Sequence, residues 1–145
     1  MIDASLQISA AQAGYSNVVA HMLRELPNEC VGLLWSDGSI SRLINQARSP
    51  SRFSAGGAQI AEAMEKVDQD LLLAAVYHSH PGGRSTLSDD DENQLRLQFA
   101  AGVAIPWLIV NPSGDMRVWW WSEEDDRAVG FGIMAMETAG VRVTD

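Results

Sequence analysis

The chain has 145 residues, 46% of them hydrophobic and 20% charged, which suits one domain with a substantial core and marks the chain as globular rather than disordered. Its formal net charge of −9 lacks the basic footprint that nucleic acid or an anionic lipid surface requires. Cys30 is its only cysteine, which rules out an internal disulfide and a cysteine metal cluster; with no apolar run near the roughly 20 residues of a membrane span and no signal peptide in MIDASLQISAAQAG, the expectation is a cytoplasmic protein.

From Ile8 to Leu26, apolar residues fall at Ile8, Ala11, Tyr15, Val18, Val19, Met22, Leu23 and Leu26. This spacing of three and four predicts an amphipathic helix, capped by Ser9 and stopped by Pro27. His21 lies off that stripe and is expected at the surface. CVGLLW (30–35) reads as a buried strand, SDGS (36–39) as a hairpin turn centred on Asp-Gly, and ISRLIN (40–45) as the returning strand, with Ile40 and either Leu43 or Ile44 inward. A short strand is expected at Phe53 and a helix over Ala58–Asp68. LLLAAVYHSH (71–80) has the pattern of a strand buried on both faces. A second clear helix is expected over Ser88–Ala101, followed by strands at PWLIV (106–110) and MRVWWW (116–121) around the turn NPSGD. The segment 123–145 is the least legible; Gly130–Ala135 fits strand or helix. The whole predicts an α/β (α+β) fold, a single domain over 1–145 with a central mixed sheet flanked by helices.

His78 and His80 stand two apart at the end of an apolar strand, so both imidazoles project from one face. That geometry suits a metal ion. Catalytic zinc commonly takes three protein ligands and leaves the fourth position open. Asp89, Asp90 and Asp91 lie eleven to thirteen residues after His78, beyond a turn through Pro81, Gly82 and Gly83, and spacing alone does not choose among them. A plainer function competes for the same residues: Ser88-x-x-Asp91 is also a capping box, and acidic residues are ordinary in a first helical turn. A metal-assisted hydrolase needs a base as well, and Glu29, charged and directly before a buried strand, is the candidate.

Glu29, then His78-Ser79-His80-Pro81, seven residues, Ser88, two residues and Asp91 resemble the complete JAMM motif of the MPN+ metalloproteases. LPNECVGLL, the apolar strand feeding His78 and PWLIV agree with it, and the resemblance extends over roughly Ile8–Trp121. It implies an MPN-like catalytic domain holding one zinc ion (Zn2+) per chain on His78, His80 and Asp91. It further implies Glu29 as general base and then acid, and Ser88 as hydrogen-bond donor to the developing oxyanion. Asp89 and Asp90 are then solvated charges at the helix start.

Family members typically cut after the C-terminal Gly-Gly of ubiquitin or a ubiquitin-like protein, and the absence of an obvious long insertion resembles the compact prokaryotic or phage forms. The expected substrate is the C-terminal tail of a ubiquitin-like or sulfur-carrier protein, cleaved at a peptide or isopeptide bond. Alternatives are a JAMM peptidase of the phage tail-assembly type, a zinc hydrolase of small amides, and a non-catalytic MPN scaffold. Trp119–Trp121 would place its outer two rings on one strand face and the middle ring on the other, one face in the core and one exposed. A homodimer through this region is a further expectation. Cys30 is expected as a small core residue.

Overall fold

The structure is a computed structural model that describes residues 4–47, 57–67 and 70–134. Helix α1 (Ser5–Glu25) comes first. Its ladder begins with the Ile8 amide on the Ala4 carbonyl, and no side chain caps it. Ser9 is therefore an interior residue rather than the N-cap: nothing in Ser5-Leu6-Gln7 breaks a helix, so it runs one turn further back. Its buried residues are Ala10, Ala11, Gly14, Val18, His21 and Met22. This face is built on small residues, which lets the helix lie close to the sheet, and it leaves Leu23 and Leu26 exposed.

Strand β1 (Val31–Trp35) is buried throughout, and Cys30 beside it is a buried core residue. The turn at Gly38, φ 89°, returns the chain into β2 (Ile40–Leu43), where Leu43 is buried and Ile44 is exposed. The expected strand at Phe53 lies outside the described residues. Helix α2 (Gly57–Lys66) matches the helix expected over Ala58–Asp68, whose last residue, Asp68, is not among those described. Strand β3 (Leu73–Ser79) delivers His78 directly and His80 one residue past its end, where the His80 amide still bonds the Val110 carbonyl. Helix α3 (Asp89–Ala100), β4 (Trp107–Val110), β5 (Met116–Ser122) and β6 (Arg127–Ile133) follow. The Gly130 region is thus strand; Ala135 and the residues after it are not described.

The six strands form one mixed sheet in the order β2-β1-β3-β4-β5-β6. Among them, β3 and β4 pair in parallel and the other neighbours antiparallel, with α3 in the crossover between β3 and β4. Helix α1 covers one face, packing Ala10, Ala11, Val18 and Met22 against Ala75, Tyr77, Leu108, Val118 and Trp120. The other face carries two clusters. Val31, Leu33, Trp35 and Leu43 pack with Ile60, Ala63 and Val67 of the α2 region, and Leu95 of α3 packs with Trp107 and Trp121. The architecture is the α+β arrangement expected of an MPN fold.

The tryptophan trio departs from expectation. Trp120 and Trp121 are both buried, on opposite faces, and Trp119 is half-buried. Because α1 covers one face and α3 the other, neither face of β5 is left open there. His21 is likewise buried rather than exposed, 4% accessible, with Nδ1 2.6 Å from the Tyr77 hydroxyl. The reason lies in Gly32, where any Cβ would fall 2.2 Å from that hydroxyl. The missing side chain gives the Tyr77 ring room to reach the helix.

Candidate metal centre

Register builds the site. Strands β1 and β3 run antiparallel with Val31 opposite His78, so counting outward sets Cys30 opposite Ser79 and Glu29 opposite His80. Glu29, far from the two histidines in sequence, therefore meets them at one corner of the sheet. Helix α3 starts above the same corner. Ser88 is its N-cap: the Asp91 amide donates to Ser88 Oγ at 3.1 Å, and the Ser88 amide donates to Asp91 Oδ2 at 3.2 Å. The capping box is formed, and it turns the Asp91 carboxylate inward while Asp89 and Asp90 stay exposed.

Three ligand atoms converge. His78 Nε2 and His80 Nε2 are 3.2 Å apart, and Asp91 Oδ2 lies 3.3 Å from the first and 2.9 Å from the second. Atoms held about 2.0–2.1 Å from a tetrahedral zinc stand roughly 3.4 Å from one another. The spacing thus fits a small cation. The chemistry of the set agrees. His80 Nδ1 is 2.8 Å from the Arg84 carbonyl, and a carbonyl only accepts, so Nδ1 carries the proton. In the neutral ring, Nε2 then presents a lone pair to a carboxylate oxygen, and only a proton or a metal ion between them removes the repulsion. The His78 ring is held edge-on against Trp107, centroids 5.5 Å apart. Glu29 belongs to the same constellation: ligand atoms of Glu29, His78 and His80 all lie within 4.8 Å of one another.

Electrostatics separate the roles of these groups. Burial pushes the Glu29 carboxyl up to about 7; the His80 charge opposes this and Asp91 reinforces it. Complete burial holds His78 below the ordinary imidazole value, against the pull of Asp91. For His80, burial works against the charged form, but the bonds to Asp91 and the Arg84 carbonyl outweigh it and the value is raised. Burial would raise Asp91, yet its bonds to His78 and His80 hold it well below the usual carboxylate range.

All five sequence candidates thus stand at one corner. Ser88 is exposed, with Oγ accepting from the Asp91 amide, which leaves its hydroxyl proton to donate elsewhere. Sequence reasoning missed the groups that hold them. The Arg84 carbonyl orients His80, and the Trp119 indole donates to the Ser85 carbonyl at 2.9 Å, pinning the loop between His80 and Ser88. Asn45, buried beyond β2, donates to the Glu29 carbonyl at 2.9 Å. Backbone acceptors leave no mark in a sequence, and an asparagine at a strand end looks like any loop residue.

A family model described as prokaryotic homologs of the JAB domain matches residues 11–122. The chain is also 32% identical over 100 residues to a Thermus thermophilus protein named "Probable TtuB-protein conjugate cleaving protease". That match covers 66% of this chain and 64% of the relative, so the chain spans just under two thirds of the relative's length.

Proposed function

Because the chain belongs to the family of prokaryotic homologs of the JAB domain, we propose that it is a zinc-dependent peptidase or isopeptidase that cuts the amide bond after the C-terminal Gly-Gly of a ubiquitin-like or sulfur-carrier protein. The observation that carries this reading is the convergence of ligand atoms from His78, His80 and Asp91 at one corner with the buried Glu29 carboxyl close to both imidazoles. The relative's name, which speaks of cleaving TtuB-protein conjugates, supports the substrate class.

His78, His80 and Asp91 would hold the ion. Zinc bound there supplies Lewis-acid polarisation of the amide carbonyl and makes water a nucleophile near neutral pH. Glu29 takes one proton from the attacking water as the oxygen–carbon bond forms. The Ser88 hydroxyl donates a hydrogen bond to the carbonyl oxygen as it becomes negative. Glu29 then delivers the proton to the leaving nitrogen and the C–N bond breaks; the water's second proton passes from the new carboxyl group to the released amine, so a carboxylate and an ammonium result. Exposed Gly82 and Gly83 follow closely after His80 and keep the approach low, which suits a tail lacking side chains.

The test is cleavage of a sulfur-carrier protein bearing a short C-terminal extension after Gly-Gly, with metal content read by mass spectrometry on the same protein. The expected result is about one zinc per chain and a product ending in Gly-Gly. Zinc-loaded protein that cleaves neither this substrate nor an isopeptide-linked form overturns the reading.

A further inference from the structure

We propose that Ser79 and Asn45 are positioning residues that together clamp one peptide group, the one joining Glu29 to Cys30, and thereby aim the Glu29 carboxyl at the metal corner. This rests on the role of Glu29 proposed above. That peptide group offers one carbonyl, on Glu29, and one amide, on Cys30. The carbonyl accepts from Asn45 Nδ2 at 2.9 Å, and the amide donates to Ser79 Oγ at 2.8 Å. Both clamping side chains are buried, Ser79 completely. Asn45 is itself held, its Oδ1 accepting from the Ala47 amide at 3.0 Å. A peptide group is planar, so two bonds at its opposite ends fix its tilt. That tilt sets the last backbone torsion of Glu29 and so the direction in which its side chain leaves.

The Ser79 bond also departs from ordinary sheet pairing. Cys30 and Ser79 stand opposite each other, and the Ser79 amide donates to the Cys30 carbonyl at 3.1 Å as an antiparallel rung should. The return bond goes to the Ser79 hydroxyl rather than to its carbonyl. A side chain thus stands in for backbone at the last rung, next to the catalytic glutamate. With alanine at 79, the Cys30 amide either stays unpaired in a buried place or closes onto the neighbouring strand. Either outcome rotates the Glu29 peptide. Neither residue touches His78, His80 or Asp91 through these bonds, so the clamp acts on the base and not on the metal.

The experiment compares Ser79→Ala, Ser79→Thr and Asn45→Ala, each alone and combined with Glu29→Gln, reading zinc content, KM and kcat on the carrier substrate. Ser79→Ala should keep its zinc and its KM and lose kcat by about tenfold or more, the scale of a small misplacement of a reacting group. Ser79→Thr retains the hydroxyl and should restore most of it. In the Glu29→Gln background, removing Ser79 should leave the residual rate unchanged, because nothing remains to be aimed. A merely structural serine would lower both backgrounds alike, and that result overturns the clamp. So does full kcat in Ser79→Ala while Glu29→Gln is inactive, which leaves the proposed function standing. Native activity in Glu29→Gln removes both. If Ser79→Ala does not fold, Asn45→Ala releases the same peptide from its other end and reads in the same way.

Discussion

The imidazole of His80 donates a hydrogen bond from Nδ1 to the backbone carbonyl of Arg84, and this turns Nε2 toward Asp91. A short stretch of loop thus decides which nitrogen faces the proposed metal site. Because the acceptor is backbone, the Arg84 side chain is dispensable: Arg84→Ala should keep about one zinc per chain, whereas His80→Ala should lose it. Metal stoichiometry on the two variants, purified side by side, checks this.

Ser88 caps the helix, and in the proposed mechanism it would also serve the reaction through a different part of the same hydroxyl. Ser88→Ala removes the acceptor for the Asp91 amide and should cost about 1 kcal/mol of stability, the usual scale of a lost N-cap. It should also lower kcat by roughly ten- to a thousandfold through the missing oxyanion donor. Ser88→Thr should retain the cap and much of the rate. Thermal melts and steady-state kinetics separate the two effects.

Glu29→Gln should retain zinc and fold and lose turnover by about two to four orders of magnitude. It should melt no lower than the native chain, because it replaces a buried ionisable group with a neutral one of the same shape. A much lower melting temperature would mean that Glu29 holds the fold together.

Chelation should destabilise the protein, since an ion bound only by the native site adds to folding free energy. Free zinc at about a hundred times its Kd would contribute about 2.7 kcal/mol. Melting with chelator, then with zinc restored, should show a reversible drop, and Asp91→Ala should not respond to either addition.

His21 gives a pH dependence away from the metal. Burial, with help from the charges of Arg42 and Arg24, lowers its pKa to about 4, while the Tyr77 hydroxyl facing it carries no charge at these pH values. The unfolded chain takes up this proton near pH 6.5 and the folded one only near 4. Stability is therefore complete above about 6.5 and falls as pH drops toward 4, by on the order of 3 kcal/mol. Urea unfolding at about pH 7 and pH 4.5 should show the loss, and His21→Gln should reduce it. An equal loss in that variant would assign the effect to other groups.

Period two put His78 and His80 on one face, and the capping box was readable around Ser88 and Asp91. The choice of Asp91 over its neighbours needed the family resemblance; in the structure the box itself turns Asp91 inward. The first helix was legible as a helix but not in its rotation. Of the expected stripe, Ala11, Val18 and Met22 are buried while Leu23 and Leu26 are exposed, and the small residues Ala10 and Gly14, outside the stripe, complete the face toward the sheet. The same rotation buries His21. Strand β6 was illegible because Arg127–Ile133 lies at a sheet edge, with only Ile133 buried, and so carries little alternation. Ser79 was visible only as the spacer between two histidines.

His78, His80 and Asp91 lie within one short strand–loop–helix unit, while Glu29 reaches them only through the pairing of β1 with β3. A slip of one residue in that pairing would carry Glu29 to the opposite face of the sheet and leave the other three where they are. The proposed metal ligands and the proposed base thus depend on different parts of the fold. Under the proposed function, zinc content would therefore report on three of these residues and turnover on the fourth, so the active fraction is to be counted by turnover rather than by metal.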